Sequence, residues 1–202
     1  MTIIATGIEL ALRSHEANWD RERWARLPDD GNRYEVIDGV LYLTTAPSTF
    51  HQWITRQIFL ALFQQLDSRT LGVTLWSPIG LFMPGCDPVQ PDLLFIATAD
   101  LDILRDRHIY GVPGLLVEIL SPSNAAQDLD VKRRAYARAE VPEYWIAHPT
   151  ERSVRVYSAP DAARGAYGQM VQFAADDELV SPTLPFRAPV ASFFAGAPDS
   201  SL

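Results

Sequence analysis

The chain has 202 residues, 48% of them hydrophobic, with a formal net charge of -8 and a pI of about 4.9. That length and apolar content suit one soluble domain with a real core, while the acidic balance excludes a protein that coats nucleic acid through its overall charge and leaves only a local basic surface for such contact. A single cysteine, Cys86, excludes an intrachain disulfide and fits a reducing cytosol, so a cytoplasmic location is expected.

The start, MTIIATGIELAL, carries Glu9 and no basic segment, which makes it a poor signal peptide. No apolar run approaches the roughly 18 residues of a membrane span. Residues 14–28, SHEANWDRERWARLP, predict a short amphipathic helix ended by Pro28, giving a helical extension over 1–28. Residues 34–37 and 40–43 flank Asp38-Gly39 and predict a hairpin with a type I′ turn, with Glu35 in its first strand. Thr49 and Gln52 have capping-box spacing for a helix to about Leu66, whose inner face reads His51, Ile54, Ile58, Ala61 or Leu62, and Gln65.

Residues 72–83 are rich in strand formers, and 89–96, VQPDLLFI, read as a further strand with Asp92 inside it. A charged stretch over 98–111 predicts a short surface helix or loop. The apolar run 115–120 predicts a buried strand that contains Glu118, after which Ser121-Pro122-Ser123-Asn124 breaks the chain. Asn124 and Gln127 again have capping-box spacing, for a helix that Val141-Pro142 stops. Strands are expected at 143–148, at 153–158 through a turn over 149–152, and at 168–174, with a proline-rich tail from Ser181 covering an edge. Without a repeat or linker, the reading is a single α/β domain over 29–196 and a flexible tail over 197–202.

Two carboxylates stand out because they are embedded in apolar strands, Asp92 and Glu118. An isolated carboxylate in an apolar layer costs several kcal/mol or more, so each must be paired, protonated or bound to a cation. The third anomaly lies on the following helix, where Leu129, Lys132, Tyr136 and Ala139 share one face and place Lys132 in the apolar stripe. Of the 17 basic residues 16 are arginine, so Lys132 is the chain's one lysine. An amine is a compact charge that can shift its pKa and hold a water; the competing reading is a lysine that snorkels to the surface. Two neighbouring carboxylates can hold Mg²⁺, with Mn²⁺ as a substitute, and an ammonium beside them would orient water and neutralise charge developing on a phosphate.

The residues resemble the PD-(D/E)XK nucleases and, within them, the Uma-two family of restriction-endonuclease-like proteins. The resemblance runs from about Tyr34 to Phe194 and rests on YEVIDG at 34–39, PSTFHQ at 47–52, QPDLLF at 90–95, LLVEILSPSN at 115–124, Lys132, Tyr136 and VPEYWIAHP at 141–149. It implies a mixed sheet flanked by helices and a metal-dependent nuclease site. Pro91-Asp92 matches the PD of the motif and Glu118 its second acid. The motif's lysine normally follows two residues later, where this chain has Leu120; the resemblance places that amine on the next helix, at Lys132. Glu35 matches the family's additional acid, which would reach the metal directly or through water beside Asp92 and Glu118, or else is a hairpin residue paired with an arginine. His51 matches the family's helix histidine, set to touch phosphate or the metal's water, or else is a satisfied core histidine.

Other enzyme classes lack their residues. There is no G-x-S-x-G elbow for a serine hydrolase, no phosphate-binding glycine loop, and His15, His51, His108 and His148 are scattered without zinc spacing. The expectation is therefore a Mg²⁺-dependent endonuclease acting on DNA through Asp92, Glu118 and Lys132, assembled as a homodimer. DNA contact is expected at Arg133, Arg134 and Arg138 with the 21–26 region. The competing class is a noncatalytic DNA-binding or protein-interaction module on a nuclease-like scaffold.

Overall fold

Two central strands, Leu115–Ile119 and Glu143–His148, are buried along nearly their whole length. A strand buried on both faces needs a layer on each side, and that requirement organises the molecule. The computed structural model describes residues 12–197 apart from 15, 17, 29, 31, 45 and 122–126. In chain order the elements are β1 (Leu12–Arg13), α1 (Arg21–Trp24), β2 (Arg33–Ile37), β3 (Val40–Thr44), α2 (Thr49–Gln65), β4 (Gly72–Trp76), β5 (Gly80–Met83), β6 (Cys86–Val89) and β7 (Leu93–Ala97). They continue as β8 (His108–Tyr110), β9 (Leu115–Ile119), α3 (Arg133–Arg138), β10 (Glu143–His148), β11 (Ser153–Asp161), β12 (Ala166–Phe173), β13 (Glu178–Val180), β14 (Arg187–Pro189) and α4 (Val190–Phe194).

The larger sheet has the order β12-β11-β10-β9-β7-β4 and is mixed, because β9 and β10 are parallel while its other neighbours are antiparallel. Parallel neighbours need a crossover, and the segment containing α3 supplies it. One face of this sheet, carrying Leu93, Phe95, Val117 and Trp145, packs on Ile54, Ile58 and Leu62 of α2 and on Phe193 of α4. The other face, carrying Leu94, Leu116 and Ile146, packs on Ala135 and Tyr136 of α3 and on the second sheet, β1-β3-β2-β6-β5-β8. The α/β class and the mixed sheet flanked by helices are thus as expected. No helix among the described residues is long and apolar enough to cross a membrane.

The β2–β3 hairpin pairs Ile37 with Val40, and Asp38 and Gly39 take φ of 51° and 75°, as a type I′ turn demands. Elsewhere the boundaries move for local reasons. Of the helix expected over 14–28, the described residues form only the turn Arg21–Trp24, capped by the Asp20 side chain; Asn18 is left-handed at φ 74° and the Trp19 amide bonds to Gly39, which ties that stretch to the hairpin. Ser48, not Thr49, caps α2, accepting from the His51 amide at 3.2 Å. Pro78 separates β4 from β5 and so sends them to different sheets. Pro91, which has no amide proton, separates β6 from β7, so Asp92 precedes β7 instead of lying inside a strand. Gln127–Lys132 is wound as a π-helix that runs into α3. The expected cap Asn124, the first residues of the 1–28 extension and residues 198–202 of the tail lie outside the described residues.

Candidate active site

Glu118 shares its face of β9 with Leu116, opposite Ile146 of β10, and is 1% exposed. Such burial strongly disfavours an unpaired carboxylate. Two donors from one helical turn answer it. Lys132 Nζ lies 2.9 Å from Glu118 Oε1, and the Tyr136 hydroxyl donates to the same oxygen at 2.9 Å. Their four-residue spacing brings both over one point of the sheet. The Tyr136 ring is itself held edge-on against Tyr144, 5.0 Å between centroids. Burial and the nearby Glu118 and Glu35 push the Tyr136 phenol well above its ordinary pKa, so it stays a donor.

Lys132 does not snorkel; it is 2% exposed. Its ammonium also lies 3.1 Å from Oε1 of Glu35 on β2, and so joins the larger sheet to the hairpin of the second. The Gln90 amide donates to that same Glu35 oxygen at 2.7 Å. Glu35 is therefore a buried acid held by Lys132 and a backbone amide, not an exposed hairpin residue.

Asp92 collects its partners from three other elements. Its Oδ2 is 3.0 Å from His51 Nε2 at the start of α2 and accepts the Ile119 amide of β9 at 2.9 Å. Its Oδ1 is 3.3 Å from Nη1 of Arg33 on β2, whose Nη2 donates to the Gln90 carbonyl. Burial acts to raise the Asp92 pKa, but His51, Arg33 and the Ile119 amide outweigh it and hold the carboxyl well below the usual range. For Arg33, burial pulls the pKa down and the surrounding Asp92, Glu35 and Glu118 overcome it, leaving the guanidinium above its ordinary value. His51 is a buried histidine bonded to the motif aspartate, with Thr55 Oγ1 3.4 Å from its Nδ1.

The five residues singled out in the sequence thus fall into two adjoining groups, Asp92 with His51 and Glu118 with Lys132 and Glu35. Ile119 links them by following Glu118 and donating to Asp92, and Gln90 links them by donating to Glu35 and accepting from Arg33. Arg33 is the member that sequence reasoning missed; its only signal is its place directly before YEVIDG. Among the described residues no three His, Cys, Asp or Glu side chains converge as they stand into a metal-holding group. The donor chemistry of Asp92 and Glu118, two buried carboxylates in adjoining groups, nevertheless suits a hard cation.

Most of the expected basic surface is ion-paired, while Arg21 donates to the Tyr110 hydroxyl at 2.6 Å. Arg133 and Arg134 both reach Asp130, at 3.3 and 2.9 Å, Arg138 reaches Asp38, and Arg23 reaches Glu16 at 2.7 Å. Exposed pairs of this kind are worth about 0–1 kcal/mol, so a phosphate can compete for these arginines.

The family model of the Uma-two (Uma2) proteins, described as "Putative restriction endonuclease", matches residues 21–191. The chain belongs to the Uma2 family. No curated protein matches it. Among solved structures it is similar to one from Anabaena variabilis ATCC 29413 described as a "putative nuclease", at 15% sequence identity and a TM-score of 0.73 over 87% of this chain and 97% of that one. At that identity the likeness establishes the nuclease-like fold, and this Uma2 chain spans essentially the whole of its neighbour.

Proposed function

We propose that the protein is a metal-dependent endonuclease that hydrolyses DNA phosphodiester bonds at Asp92, Glu118 and Lys132. The observation that carries this reading is the placement of the chain's one lysine on the motif glutamate, in a buried group that adjoins the one around the motif aspartate. Membership in the Uma2 family supports it, since restriction-endonuclease-like proteins generally use divalent metals. Mg²⁺, or Mn²⁺ in its place, held by Asp92 and Glu118 with Glu35 near by, would polarise the scissile phosphate and stabilise the charge that develops there.

The chain's own groups supply the rest. Lys132 holds a positive charge that does not need reorganising when charge develops on the phosphate, because its ammonium is already seated between two carboxylates. Glu118 and Glu35 keep that ammonium in place from two sides. Tyr136 fixes the Glu118 oxygen, and His51 and the Ile119 amide fix Oδ2 of Asp92. His51 is thereby a positioning residue for Asp92. A homodimer would present two such sites to the two strands of a duplex; light scattering in solution measures that state.

One observation favours the competing reading of a noncatalytic DNA-binding or protein-interaction module: Asp92, Glu118 and Lys132 are only 3%, 1% and 2% exposed. Assays on plasmid and single-stranded DNA with Mg²⁺, Mn²⁺ or EDTA, beside Asp92→Ala, decide between the two. Metal-dependent cleavage lost in Asp92→Ala is expected; DNA binding without cleavage under every condition selects the module.

A further inference from the structure

The cations around the three acids differ in how freely they can leave. Lys132 is 2% exposed and bridges two glutamates, whereas the Arg33 side chain is 17% exposed and meets Asp92 at the longer distance of 3.3 Å. Arg33 is also the cation on Asp92, one of the two carboxylates that the proposed function assigns to the metal. A divalent ion on Asp92 and a guanidinium this close to it repel each other, so both cannot keep the position favourably.

Charge balance points the same way. Among the described residues, Asp92, Glu118 and Glu35 carry three negative charges against the two positive charges of Arg33 and Lys132. A divalent cation together with one phosphodiester would bring the site to four charges of each sign, provided that Arg33 stays within it. Its planar fork suits a phosphate better than a point-like ammonium does, because two N–H groups can bind two phosphate oxygens at once.

We propose that Arg33 is the exchangeable cation of the site: it rests on Asp92 when no divalent ion is present and moves to a DNA phosphate when one binds. This rests on the nuclease reading and adds to it a residue that balances Asp92 in the metal-free protein and then binds the substrate phosphate. Two expectations follow that a fixed structural ion pair does not share. Removing the guanidinium relieves competition for the metal, and Arg33 contributes to DNA binding only when the metal is present.

The test uses Arg33→Met, Arg33→Gln and Arg33→Lys in the full chain, with folding checked by melting curves. Calorimetric titration with Mg²⁺ alone should give a Kd lower by about fivefold or more in Arg33→Met and Arg33→Gln, within the usual range of coupling between sites, and near the wild-type value in Arg33→Lys. Binding of a short duplex is then followed against NaCl by anisotropy, in EDTA and in Ca²⁺, with the DNA checked for intactness. The log–log salt slope should shrink by about 0.9, one phosphate contact, in Ca²⁺ and stay unchanged in EDTA. Equal or weaker Mg²⁺ binding in the folded Met and Gln variants overturns the exchange while leaving the nuclease reading in place. So does a slope that shrinks equally in EDTA, which marks a fixed phosphate contact. Absence of Mg²⁺ binding in the wild type and every variant overturns the metal site itself, and the exchange with it. If Arg33→Met fails to fold, Arg33→Gln carries the same comparison.

Discussion

Glu118 on β9 and Glu143 on β10 are both buried carboxylates on adjacent parallel strands, at 1% and 0% exposure, yet their company differs. Glu118 faces α3 and meets a cation and a phenol. Glu143 faces the other core and, among the described residues, meets only neutral donors: the Trp145 indole, the Ser181 hydroxyl at 2.6 Å, the Thr183 amide at 3.2 Å and the Thr183 hydroxyl. Its oxygens clasp the turn between β13 and β14 onto the sheet. Burial of an acid therefore does not by itself mark chemistry. A carboxylate satisfied by neutral donors holds a fold together, whereas one that shares a buried ammonium with a second acid concentrates charge at one point, which is what the proposed chemistry needs.

Isosteric changes should separate the two sites. Glu118→Gln keeps the packing and an acceptor for Tyr136 but loosens Lys132 and removes a metal donor. Turnover should fall by about 10²-fold or more, the usual loss when one preorganised electrostatic group is removed, with a cooperative melt retained. Steady-state cleavage beside a melting curve measures both. Glu143→Gln should do the reverse. Losing hydrogen bonds to a charged acceptor costs about 1.5–3 kcal/mol, so chemical denaturation should show that loss while cleavage per folded molecule stays unchanged. A Glu143→Gln protein that folds normally but no longer cleaves would break the contrast.

How far the sequence revealed this depends on the range of each contact. The β2–β3 hairpin and α2 were legible because Asp38-Gly39 and the apolar stripe through Ile54, Ile58 and Leu62 act locally. Glu118 and Lys132 were legible because each breaks an apolar pattern, and the helical period placed Lys132 and Tyr136 on one face. Glu143 carries a signal like that of Glu118, a carboxylate in an apolar strand, but its partners Ser181 and Thr183 are far along the chain and neutral. Arg33 was hidden among 16 arginines, since only the approach of β2 to Asp92 distinguishes it. The splits at Pro78 and Pro91 were missed because an apolar run does not say which sheet it joins, although each proline's missing amide proton was there to be read.

A smaller effect sharpens the comparison from the opposite side. The Tyr167 hydroxyl is a buried polar atom with no hydrogen-bond partner among the described residues. Burial, opposed by Arg133, holds its phenol above the ordinary value, so the folded protein keeps this proton where the unfolded chain loses it. The stability it contributes is full below about pH 10 and is lost as pH rises beyond that. Tyr167→Phe should therefore be neutral or stabilising by up to about 1 kcal/mol near neutral pH, and should flatten the alkaline fall in stability. Denaturation curves between neutral and alkaline pH measure it; a clear destabilisation at neutral pH would show that the hydroxyl is satisfied after all.

The most direct measurement is plasmid cleavage with Mg²⁺ by the wild type and by Lys132→Met, each shown to be folded by a cooperative melt. On the proposed function the ammonium joining Glu118 and Glu35 stabilises charge on the phosphate, so Lys132→Met should lose about 10²-fold or more of the rate. Lys132→Arg should restore only part of it, because a planar fork cannot replace a point charge between two carboxylates. Full cleavage by a folded Lys132→Met protein would contradict the role given to this lysine and leave Glu118 and Glu35 as a buried acid pair held together for stability alone.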